Sequence, residues 1–205
     1  MNNDTQAMSD PVKKTIASLT ERGFDAMVVD TKEEALEKIK TLIPAGASVI
    51  NGSSRTLEEI GYIAYLKAGA HGWNNLQDAI VAEKDPQKQS RMRKEATMAD
   101  VYVGSAHAVS ENGEMVIASA TGSQMPSIVF NSPNAILVIG AQKITPTVEE
   151  ALKRLKEQVF PLEDARMKAV GYPGSMMAKT LIYEREPAMM GRKVHIILVN
   201  EKLGY

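Results

Sequence analysis

Short apolar runs alternate with capped helical patterns through the first third of this chain, and that alternation leaves few architectures open. Asp10-Pro11 opens a helix running to about Arg22, with proline suited to the first turn, and Gly23 stops it. Asp25 to Asp30 reads as a short buried strand with Ala-Met-Val-Val at its centre. Thr31-Lys32-Glu33-Glu34 is a capping box, and the helix behind it sets Ala35, Leu36, Ile39, Leu42 and Ile43 on one face. Pro44-Ala45-Gly46 ends that helix, and Ala47 to Asn51 forms a second strand. Gly52-Ser53-Ser54 then leads to a helix capped at Thr56-Leu57-Glu58-Glu59. Strands joined through helices pair in parallel, with the helices packed on the faces of the sheet.

The pattern changes further along. Ala70 to Ala82, which holds the one tryptophan, Trp73, reads as irregular, and Asp85-Pro86 opens a basic helix through Arg91, Arg93 and Lys94. That helix reads as a solvated face. Val101-Tyr102-Val103 is strand-like. Asn112-Gly113 sits between two β-rich runs, Tyr102 to Val109 and Glu114 to Ala118, the strongest local signal for a hairpin. Ala135 to Gly140 is a continuous apolar run typical of a central strand buried on both faces. Thr147-Val148-Glu149-Glu150 is another capping box, with Val148, Ala151, Leu152 and Leu155 as the buried stripe, and Val194 to Val199 is a final strand. No linker divides the chain, so residues 1–205 read as a single unit. The expected fold class is α/β: a mostly parallel sheet flanked by helices, with an added antiparallel hairpin.

Composition narrows the functions open to such a fold. The 205 residues carry a net charge of −1, and only 5% are aromatic, so neither bulk charge nor a stacking platform recruits nucleic acid. There is no cysteine, which excludes disulfides, thiolate nucleophiles and cysteine-ligated clusters within the chain. Met1-Asn2-Asn3-Asp4-Thr5 lacks a basic and apolar leader, and no apolar run approaches the roughly 20 residues a membrane helix needs. A cytoplasmic protein without membrane contact is expected. No metal-ligating or cofactor motif is evident.

In open α/β sheets, ligands collect at the carboxyl ends of strands. Three segments meet that condition. In the first, Gly52, Ser53 and Ser54 can cradle an anion, although the same residues also suit a serine-capped turn. In the second, Ser105, His107 and Glu111 share one face if the strand runs unbroken, which would assemble a hydroxyl, an imidazole and a carboxylate for proton transfer. Taken alone, His107 reads rather as a satisfied, half-buried structural histidine, and Glu111 as a solvated residue beside the turn. In the third, Thr121, Gly122, Ser123 and Gln124 suit a loop around an oxygen-rich ligand, or a helix cap before Pro126, and Lys143 after the apolar strand can add a cation. Met176-Met177 and Met189-Met190 read as adaptable packing or a flap.

With these segments in hand, the chain resembles the LUD (lactate-utilization) domain family. The resemblance runs from Gly52-Ser53-Ser54-Arg55-Thr56-Leu57 through Met98 to Ser105 and His107 to Glu114 to Ala120-Thr121-Gly122-Ser123-Gln124. It continues in Ala141 to Pro146, Glu184-Arg185-Glu186-Pro187, Gly191-Arg192 and Leu198 to Tyr205. It implies a fold like that of the ribose-phosphate isomerases, glucosamine-phosphate deaminases and class I CoA transferases. It also implies a role in organic-acid (lactate) utilization with a small carboxylate or phosphate ligand. Members are encoded with iron–sulfur oxidoreductase subunits, so an accessory subunit of such a complex is a second implied role, and a homo-oligomer is compatible with either. A third implied role is a CoA transferase or sugar-phosphate isomerase-like enzyme: Ser110-Glu111-Asn112-Gly113 is similar to the tetrapeptide around the nucleophilic glutamate of class I CoA transferases, which implies Glu111 as a nucleophile. Glu114 stands where those enzymes carry an apolar residue.

Overall fold

The computed structural model describes residues 9–205; the expectation drawn from Met1 to Thr5 lies outside them. Helix α1 (Asp10–Glu21) starts one residue earlier than a cap at Asp10 would allow, with Ser9 in the cap position and proline in the first turn. Gly23 reverses the chain at φ +87°, and a β-carbon there would lie 2.2 Å from the Glu186 carbonyl oxygen, so only glycine is accommodated. Strand β1 (Asp25–Val29) follows, then α2 (Lys32–Leu42), where the Thr31 hydroxyl accepts from the Glu34 N–H. Strand β2 (Ser48–Asn51) leads to α3 (Arg55–Glu59). The cap of α3 is Ser54, not Thr56, and this frees the Thr56 hydroxyl for another contact.

The segment expected to be irregular is ordered. After α4 (Tyr62–Ala68), Trp73 packs into the core and donates from Nε1 to the Ile43 carbonyl. The two-residue strand β3 (Asn74–Asn75) pairs with β2, and Asn75 caps α5 (Leu76–Ala82). An edge strand this short carries no periodicity to read. Asp85 caps the basic helix α6 (Pro86–Glu95).

Strands β4 (Val101–Gly104), β7 (Asn134–Gly140) and β10 (Lys193–Val199) complete a six-stranded parallel sheet in the order β1-β10-β7-β4-β2-β3. Successive residues of a strand face opposite sides, and the burial follows suit. Ile136 and Val138 of β7 pack with Ala35, Ile39 and Leu57 of the helices, while Leu137 and Ile139 pack with Met115 and Ile117 beneath a second sheet. Each such residue contributes about 1.5–3 kcal/mol of burial, which explains why the longest apolar runs occupy the centre.

The second sheet holds β5 (Ala108–Ser110), β6 (Met115–Ser119), β8 (Ile144–Thr145) and β9 (Lys179–Tyr183) in the order β8-β5-β6-β9. The expected hairpin is β5–β6, with Gly113 at φ +92° and its N–H donating to Ser110 O at 2.9 Å. The run expected as one strand from Tyr102 to Val109 is broken at Ser105–His107, because β4 belongs to the parallel sheet and β5 to the second one. The outer face of the second sheet rests on α7 (Val148–Arg154) and the turn after it, through Ala108 and Val116 against Ala151 and Leu155. A wide helical turn, Leu155–Val159, joins α7 to α8 (Phe160–Ala169). Among the described residues no helix is long and apolar enough to cross a membrane.

Candidate functional site

Strands β7, β4 and β2 are neighbours in the parallel sheet, and their carboxyl ends open on one cavity of about 670 Å³. From β2 the chain continues outward to β3, whereas from β4 it continues the other way to β7. Adjacent parallel strands whose connections diverge leave a crevice between them, the usual ligand position in open α/β sheets.

Each strand end supplies part of the lining. After β2, the Gly52 N–H donates to Val103 O, and the loop carries Ser53 and Ser54 along the cavity. A β-carbon on Gly52 would lie 2.5 Å from Gln124 Oε1 and 2.7 Å from the Tyr102 hydroxyl, so glycine lets the 120–124 loop close over this turn. Tyr102 donates to Gln124 Oε1 at 3.3 Å across the same contact. Thr121 and Ser123 reach the cavity from the end of β6, with their hydroxyls 3.0 Å apart. Gly122 between them is not part of the lining; at φ +81° it turns the loop and faces the Lys179 side chain. Ser54 lines the cavity while its hydroxyl is spent on capping α3.

After β7 comes Lys143, only 3% exposed. Its ammonium donates to Thr56 Oγ1 at 2.8 Å, to Ser105 Oγ at 3.2 Å and to the Ala106 carbonyl at 3.3 Å. Every one of these acceptors is neutral, and no carboxylate pairs with this cation among the described residues. Desolvation, and then the positive charge of Arg154, brings its pKa down to about 7; Glu59 opposes weakly. Arg154 is itself buried, donates to His107 O at 2.9 Å and has its pKa lowered by desolvation. Two neighbouring buried cations thus lack an acid in direct ion-pair contact, Glu59 acting on Lys143 only from a distance.

His107 stands on the wall beside them. Its Nδ1 accepts the Ala118 N–H at 3.2 Å, which fixes the neutral ring with the proton on Nε2. Desolvation, followed by the Lys143 charge, holds its pKa down to about 4. Nε2 has no protein partner among the described residues and is not sealed, which leaves an N–H donor at the cavity wall. The acids of the lining are already engaged: Glu58 pairs with Arg55, and Glu163 with Arg166 at 2.6 Å. A free donor, an uncompensated ammonium and hydroxyls on three sides make a hollow suited to negative oxygen atoms. An amine titrating near neutral pH can also give or take a proton there.

Glu111 is not brought to this cavity. It lies just past β5 at the hairpin tip, and its carboxylate accepts from Lys14 Nζ at 3.0 Å. Because the strand breaks at Ser105–His107, the shared face expected for Ser105, His107 and Glu111 does not extend to the glutamate. Sequence reasoning passed over Thr56 as a ligand of Lys143 and gave Arg154 no role, since both contacts span long stretches of chain. It gave α8 no role in the wall of this cavity and read Met176-Met177 in the loop after it only as packing or a flap. Among the described residues no group of three or more His, Asp or Glu is placed to hold a metal ion.

The profile of the LUD domain matches residues 12–199. The chain belongs to the LUD domain family. This LUD domain is also similar to a solved structure, a DUF162 family protein from Deinococcus radiodurans. The two share 13% identity at a TM-score of 0.52, and the match covers 94% of this chain and 99% of that one. At that identity the likeness is one of fold. Among curated proteins, none matches the sequence.

Proposed function

We propose that this LUD domain binds a small organic anion, a carboxylate or phosphate, in the cavity between β2 and β4, in an organic-acid metabolism related to lactate utilization. One observation carries the reading: the Lys143 ammonium is buried against three neutral oxygens, with Arg154 nearby and no carboxylate in salt-bridge contact with either among the described residues. An unpaired buried cation is costly, and folds keep such groups where a ligand supplies the missing charge. Ser53, Thr121, Ser123 and the Nε2–H of His107 offer further donors for the same anion.

Thermal unfolding at pH 6.5 with lactate, other 2-hydroxy and 2-oxo acids, inorganic phosphate and sugar phosphates tests this. A true ligand at about a hundred times its Kd stabilises by about 2.7 kcal/mol. That gain should vanish in Lys143→Met and shrink in Ser53→Ala and Ser123→Ala. Silence across the whole panel would defeat the reading.

A second role, as an accessory subunit beside an iron–sulfur oxidoreductase, draws support from the absence of cysteine, since any cluster would be ligated by another chain. Co-purification of the tagged protein with a cluster-containing subunit is its test.

A further inference from the structure

We propose that the ligand of this cavity is an amphipathic carboxylic acid, with its charged head at Lys143 and an apolar body about the size of a phenyl ring against α8 and the loop that follows it. The inference rests on the anion-binding reading and narrows it to a substrate class.

Size is the first reason. A three-carbon hydroxy acid occupies on the order of 100 Å³, a few water volumes, whereas the cavity offers about 670 Å³. Cavities of this size ordinarily enclose larger molecules than a three-carbon acid. A head group at Lys143 alone would leave most of the space to water.

The second reason is the division of the lining. Hydroxyls, the imidazole and the ammonium come from the strand ends and the 119–124 loop. Apart from the Glu163–Arg166 ion pair and Ser175, the facing wall supplied by α8 and residues 170–177 is apolar: Phe160, Met167, Val170, Tyr172, Met176 and Met177. Three of these are open to solvent to an extent unusual for their type, with Val170 at 57%, Tyr172 at 60% and Met176 at 66% exposure. Apolar surface concentrated beside a polar hollow marks a place where something apolar is covered on binding. The three methionines suit that task, because an unbranched thioether adapts its shape to the occupant. Both acids of the lining are neutralised by arginines, so no negative charge confronts an acid that bridges floor and wall.

Isothermal titration at pH 6.5 with lactate, 3-phenyllactate and inorganic phosphate distinguishes the outcomes. The two organic acids share a head and differ by one phenyl ring. In the unaltered protein, 3-phenyllactate should bind at least tenfold more tightly than lactate. In the double variant Val170→Ser/Met176→Ser, whose positions are exposed and tolerate polar residues, that ratio should fall to within threefold, while Lys143→Met should weaken both acids. Equal affinity for the two acids, or binding of phosphate alone, would overturn the amphipathic ligand and leave the anion reading standing. A ratio unmoved by the double variant would also overturn it. No binding of any of the three at millimolar concentration would remove both.

Discussion

Replacing Lys143 by methionine should make the protein more stable at acidic and neutral pH, by an amount that disappears as the solution becomes alkaline. The folded protein holds this amine at a pKa of about 7 against an ordinary 10.5, chiefly through desolvation. Below pH 7 the amine is charged in both the folded and unfolded chains, and each unit of depression costs about 1.4 kcal/mol, or about 5 kcal/mol in all. The hydrogen bonds to Thr56, Ser105 and Ala106 return part of this, at roughly 1 kcal/mol each. Methionine fills a similar volume without the charge, so a net gain of about 2 kcal/mol is expected at pH 6. As pH rises above 7 the folded state releases the proton before the unfolded chain does, so the unfolded state binds more protons and the wild type gains stability. The contribution is complete above the unfolded value of about 10.5 and is lost as pH falls towards 7. Between pH 7 and pH 9 the advantage of Lys143→Met should therefore shrink by about 2 kcal/mol. Urea unfolding of both proteins at pH 6, 7, 8 and 9, compared at constant denaturant dependence, measures the difference while common titrations cancel. A difference that stays flat across this range would refute the picture of an uncompensated buried ammonium.

The same titration predicts how binding responds to pH. A carboxylate that needs the ammonium should lose affinity above pH 7, approaching tenfold per pH unit, and should draw a proton from the buffer at pH 7.5; calorimetry in buffers of different ionisation enthalpy counts that proton. Gly52→Ala should drive its new methyl group into Gln124 and Tyr102, costing about 1–3 kcal/mol and weakening ligand binding, as read by chemical unfolding and titration. Glu186→Ala should cost about 3–5 kcal/mol, because it strands the largely covered side chain of Arg192, which otherwise pairs with it at 3.1 Å and also donates to the Ser127, Ile128 and Ser132 carbonyls. Denaturation midpoints of that variant, with Glu186→Gln alongside to separate charge from shape, provide the check.

Local chemistry wrote much of the fold into the sequence. Thr31 and Thr147 cap the helices they were expected to cap, and Asn112-Gly113 turns the β5–β6 hairpin. The apolar run ending at Gly140 lies at the heart of the parallel sheet. These features depend on neighbours a few residues away, through capping bonds, backbone dihedrals and burial on both faces. The edge strand at Asn74–Asn75, the break at Ser105–His107 and strand β9 were not legible in that way. Each depends on pairing with a partner far along the chain, and none shows a periodicity of its own.

The sequence by itself determined which loops follow strands and which donors they carry at Gly52 to Ser54, Thr121 to Gln124 and Lys143, whereas Ser105 to His107, read there as part of a strand, became a strand-end loop only in the fold. Only the tertiary structure decided that β2, β4 and β7 lie side by side, so that these loops share one hollow and Lys143 meets Thr56 across 87 positions of chain. It also decided that Glu111, four residues from His107, points away to Lys14. The physical reason is range. A cap or a turn is settled by bonds within a few residues, but the cost of burying a charge depends on everything the completed fold gathers around it.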